Sequence, residues 1–200
     1  MSSKDLLTRK ALRLEYFTVA WNVFEAAAAI AAAVMAGSVA LLGFGLDSLI
    51  EVAAAAVLIW RLKKHGTDLD EESRAERLSL RFVGATFFLL AAYVAYEAIH
   101  LLWLRQRVGQ SLVGIAITVL AALVMPILGM RKRQVAQELG SEALAEEGVE
   151  SLMCGFMSLA VLLGLVLNYF WGFWWADPMA SLVIAGFMVR EGREAFEAGE

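Results

Sequence analysis

The chain has 200 residues, 60% of them hydrophobic, with a mean hydropathy of +0.65 and a formal net charge of −4. Both measures of apolarity exceed those of ordinary soluble domains, which excludes a water-soluble globular protein. The single cysteine, Cys154, excludes an intrachain disulfide.

A hydrocarbon core of about 30 Å needs about 20 apolar residues per helical span. Six blocks meet that length: 14–36, 39–60, 82–104, 112–130, 143–170 and 173–189. They predict an all-α membrane protein, one transmembrane domain of six helices filling residues 1–200. The first block is longer, and its charged flank larger, than a cleaved signal peptide allows, so it reads as a retained span.

In chain order, the first helix carries Asn22 and Glu25 near mid-span and small-residue runs at 26–29 and 31–33. Small residues let backbones approach closely where lipid supplies no hydrophobic drive between helices; 53–56 continues the pattern on the second helix. The second helix also carries Asp47 and Glu51. The connection 61–81 mixes both signs of charge, as solvated turns do, and its His65 and Asp68 make a candidate peripheral metal position. Glu97 and His100, three apart toward the outer end of the third helix, are candidate elements of an ion path or proton relay, as are Asn22, Glu25 and Glu147. Pro126 is expected to kink the fourth helix. Glu138, Glu142, Glu146 and Glu147 step into the fifth helix, as an acidic vestibule or as a solvated helix end. The aromatic stretch 169–175 reads as an interfacial belt.

Orientation follows from the basic residues. An even number of spans puts both termini on one side, and of the 17 Lys and Arg only Arg105 and Arg107 fall opposite. The positive-inside rule makes the rich side cytoplasmic, and an inner or plasma membrane is expected.

A repeat ties two helices together. The segment from Ser38 to Glu51 recurs from Ser141 to Cys154 with six of fourteen positions identical and an acid facing an acid at Asp47 and Glu150. The copies lie on the second and fifth helices, which cross in opposite directions. Inverted repeats of this kind build midplane sites reachable from either side.

Asp47 and Glu51 are four apart and share one helix face. A charge near the bilayer centre costs roughly 2.5–3.5 kcal/mol on insertion scales, so a pair there needs protons, a basic partner or a bound cation. No Lys or Arg lies inside any block, which leaves protons or metal. Glu150 and Cys154 repeat the four-residue spacing. If the two faces meet, Asp47, Glu51, Glu150 and Cys154 offer three carboxylates and a thiol, enough for a four-coordinate divalent ion.

These segments resemble the cation diffusion facilitator family. Its second helix carries a pattern like A-L-L-A-D-x-x-H/D-S-x-x-D and its fifth A-L-x-A-D-x-x-H-S-x-x-D, and its sixth often opens with W-x-D-P, as Trp175-Ala176-Asp177-Pro178 does here. The resemblance covers the six-helix membrane part. It implies a homodimeric antiporter that exports divalent metal against protons, with ligation by Asp47, Glu51, Glu150 and Cys154. The usual fifth-helix His-x-x-x-Asp is here Glu150-x-x-x-Cys154, so no imidazole remains in the site. The family's cytoplasmic C-terminal domain is expected to be lacking. Carboxylates suit manganese, magnesium or calcium, and a thiolate favours zinc, cadmium or ferrous iron, so zinc is expected first, with iron, manganese and cadmium behind. The alternative reading is a metal-binding membrane protein that does not transport: a buffer, a sensor or a partner subunit. No catalytic motif, organic cofactor or nucleic-acid partner is expected.

Overall fold

The computed structural model describes residues 3–65 and 74–198. They form six helices and no strand: α1 (Ser3–Ala36), α2 (Val39–His65), α3 (Arg74–Leu104), α4 (Leu112–Leu139), α5 (Glu142–Trp171) and α6 (Ala176–Ala198). Five of them, α1 to α5, are long and apolar enough to cross a membrane. The sixth expected span folds as α6, whose apolar run is cut short by Asp177 at one end and by Arg190 and Glu191 at the other. Its polar groups are absorbed by neighbours: buried Asp177 accepts hydrogen bonds from the Ser38 hydroxyl and from the Ala40 amide at the start of α2.

Most helices run past their apolar blocks. The reason is that hydropathy marks where lipid is crossed, while backbone hydrogen bonds carry a helix on into charged sequence. The clearest case is α4, which continues beyond 130 to Leu139 and turns at once into α5. Gly140 takes the left-handed conformation (φ 69°) that closes α4, and the Ser141 hydroxyl then accepts from the Leu144 amide to open α5.

Small residues set the close contacts. Ala26, Ala29, Ala32 and Ala33 of α1 are buried, and a Cβ on Gly45 of α2 would lie 2.8 Å from Ile30 Cγ1. The α4–α5 seam is as tight and was not visible as an alanine run. A Cβ on Gly129 would lie 2.6 Å from the Gly148 carbonyl oxygen, and one on Gly155 would lie 2.7 Å from Pro126 Cγ. Pro126 thus sits inside α4 with its ring filling the gap over a glycine.

The main pairings are α4 with α5, α3 with α6, and α1 with α2, while α2 also touches α3, α5 and α6. The second helix, which carries the acidic pair, is therefore the central one. The start of α1, the end of α6 and the α4–α5 turn lie at one end of the bundle, called here the terminal end. The turns at 37–38, 105–111 and 172–175 lie at the far end.

The candidate metal site

The α2 and α5 faces do meet. One ligand atom from each of Asp47, Glu51 and Cys154 can be chosen so that all lie within 4.8 Å of one another. Asp47 is 1% exposed. These residues wall a cavity of about 20 Å³, room for one water-sized guest, with Glu150 and Met157 of α5, Phe87 of α3 and Glu191 of α6 among the rest of its lining. Glu150 therefore faces the same space as the other three expected ligands, but it stands outside the tight group of three.

A polar shell from α1 holds this group. The Asn22 amide donates to Glu51 Oε2 at 2.7 Å. Glu25, wholly buried, accepts from Trp21 Nε1 at 2.6 Å, from the Ser48 hydroxyl at 2.7 Å and from the Cys154 thiol at 3.9 Å. Such groups orient the ligands. Two oxygens of the site and its shell are left over: Asp47 Oδ2 and Asn22 Oδ1 are buried with no hydrogen-bond partner. Three converging donor atoms and an unsatisfied carboxylate oxygen suit a cation better than any neutral guest, because a buried anion needs a partner.

The basic partner that the hydropathy blocks excluded does exist, though not at Asp47 and Glu51. Lys132 lies two residues past the fourth block, yet it is wholly buried. Its ammonium lies 3.1 Å from Glu15 Oε1 on α1 and 3.1 Å from Glu147 Oε2 on α5. Glu147, expected on an ion path or in a vestibule, is thus engaged in an ion pair, whereas Glu138, Glu142 and Glu146 are exposed. Glu15 and Lys132 escape a sequence reading because each sits at the edge of a block, where interfacial placement is the ordinary expectation.

Glu97 and His100 of α3 are not brought to the cavity. They stand 4.0 Å from each other with side chains 30% and 47% exposed, and the His100 ring stacks on Tyr96. The peripheral metal position at His65 and Asp68 falls on side chains outside the described residues. The residue most plainly missed is Glu191. Its flanking Arg190 and Arg193 mark it as a solvated helix end, yet it is only 8% exposed and lines the same cavity as Asp47.

The chain is 25% identical over 185 residues to Transmembrane protein 163 of Xenopus laevis, covering 92% of this chain and 65% of that protein. It is 30% identical over 125 residues to the cadmium, cobalt and zinc/H(+)-K(+) antiporter of Bacillus subtilis, covering 60% and 38%. It is 24% identical over 172 residues to the cation-efflux pump FieF of Shewanella oneidensis, covering 82% and 55%. The chain thus spans between 38% and 65% of the length of these relatives. The cation efflux transmembrane domain family matches residues 16–198, the cavity and its polar shell included, and the chain belongs to that family.

Proposed function

We propose that the protein carries divalent metal cations across a bilayer, zinc first, in exchange for protons, with Asp47, Glu51, Glu150 and Cys154 as the ligands. The observation that carries this reading is the convergence of Asp47, Glu51 and Cys154 around a cavity of single-ion size, with Asp47 Oδ2 left unpartnered. Metal and protons compete for the same carboxylate and thiolate lone pairs. A cation entering from the terminal end displaces protons, and the neutralised site is then free to be occluded and opened at the far end. Protons from the far side rebind and expel the metal. The thiol favours zinc or cadmium over manganese. The skew of basic residues supports cytoplasmic termini in an inner or plasma membrane, and the family resemblance supports a homodimer.

The test is flux in sealed proteoliposomes carrying an internal pH dye, with zinc, iron, manganese and cadmium added in turn. Zinc is expected to drive proton movement that Asp47→Ala abolishes. Metal binding without flux would favour a buffer, sensor or partner subunit, and flux without proton exchange would make the protein a passive pore.

A further inference from the structure

Glu191 belongs to a helix on which neither acidic repeat falls, and the structure gives it an unusual setting. It is 8% exposed and walls the cavity together with Asp47 and Glu150, to both of which it is a like-charged neighbour. The basic residues beside it hydrogen-bond to other groups, although Arg190 stays close enough to attract it. Arg190 donates to Glu194 Oε1 at 2.7 Å and to Met153 Sδ at 3.3 Å, and Arg193 stands 4.0 Å from Glu197. Among the described residues, Glu191 has no hydrogen-bond or ion-pair partner. Gly192 fixes it in this position: a Cβ there would lie 3.2 Å from the Gly84 carbonyl oxygen and 3.2 Å from Phe87 Cβ, so α6 is pressed onto α3 at this level.

A buried carboxylate without a partner is costly, and here three acids share one small space with the orphaned oxygen of Asp47. The tight group of Asp47, Glu51 and Cys154 includes neither Glu150 nor Glu191, so these two acids border the cavity from outside that group, nearer the terminal ends of α5 and α6. Resting on the cation reading above, we propose that Glu191 and Glu150 form a staging position on the terminal side of the cavity. It captures the incoming divalent cation and passes it to Asp47, Glu51 and Cys154, with Glu150 the ligand common to both positions. Glu191 is then a positioning residue for uptake, not a ligand of the finally bound ion.

Cobalt(II) tests this, because its bond to the Cys154 thiolate gives a charge-transfer band that reports arrival at the tight group alone. The purified full chain in detergent is mixed with cobalt(II) in a stopped-flow instrument. Glu191→Gln is expected to slow growth of the band about 3–10-fold, the scale on which a local charge raises cation capture, with the final band unchanged. Glu191→Asp, which keeps the charge, is expected to restore most of the rate. Unchanged kinetics in Glu191→Gln would overturn the proposal. So would loss of the final band, or equal slowing in both variants, since the first marks a ligand of the bound ion and the second a packing role. A wild-type protein with no thiolate band removes the cation reading itself, a result distinct from a wild-type band whose kinetics ignore Glu191.

Discussion

Cys154 is the residue at which this site differs most in chemistry from an all-oxygen cage. Its thiol is wholly buried and lies 3.9 Å from Glu25 Oε1, so burial alone is the ordinary fate of a small hydrophobe. What sets it apart is that its sulfur converges with two carboxylates. Soft thiolate favours zinc and cadmium, and oxygen favours manganese and magnesium. Cys154→Asp keeps a ligand of similar reach and hardens it. It is expected to reverse preference, weakening cadmium binding by roughly 10–100-fold, the range seen when the immediate surroundings of a metal are altered, while manganese binding holds or improves. Competition titration of the two metals against the purified variant checks this. A preserved cadmium preference would mean the sulfur is not a ligand.

At the scale of elements, Lys132 fastens three helices at one point. Its ammonium joins α4 to Glu15 of α1 and Glu147 of α5, with Lys132 and Glu15 wholly buried. Breaking a buried ion pair by removing one partner costs about 3–5 kcal/mol, because the other charge stays behind; replacing all partners by apolar groups is often neutral. Lys132→Met is therefore expected to lower the thermal stability of the detergent-solubilised protein by about that amount. Glu15→Met and Glu147→Leu added to it are expected to recover most of the loss. Failure to recover would show that the cluster is needed as an ion network, for instance in the conformational cycle, and not only as a charge balance. The same cluster explains what could and could not be read from the sequence. The pairs Asp47 with Glu51 and Glu150 with Cys154 were legible because helical periodicity alone places residues four apart on one face. Lys132 and Glu191 each lie two residues beyond an apolar block, at 130 and 189. Hydropathy records where an apolar run ends, not where neighbouring helices continue to cover a side chain. Glu97 and His100 fail in the opposite direction. They lie inside a block, but the run of apolar residues cannot say which face of α3 turns toward the bundle.

Across the whole molecule, the site lies between two unlike environments. On its terminal side are the charges of Glu150, Glu191 and the Lys132 cluster. On its far side the wall is apolar: Leu41 and Phe44 of α2, Val94 of α3, Val161 of α5 and Ile184 of α6 are all fully buried. These helices converge closely at that level, since a Cβ on Gly43 would lie 3.3 Å from Val94 Cγ2 and 3.4 Å from Ile184 Cγ2. Ions cross a polar rim far more readily than a dry apolar layer, so under the proposed function this arrangement favours cation entry from the terminal end over the far end. Phe44 is the largest side chain in the barrier and stands one turn from Asp47 and Ser48. Phe44→Ala removes its ring from a packed layer and leaves a gap that the neighbours fill only in part. The variant is expected to leak protons across sealed proteoliposomes in the absence of metal, where the wild type holds the gradient, and to lose coupling between zinc and proton movement while still binding zinc. An internal pH dye measures both. If Phe44→Ala vesicles hold their gradient as well as wild type does, the barrier lies elsewhere, and far-end closure must then rest on the Ser38–Asp177 contact that joins the start of α2 to α6.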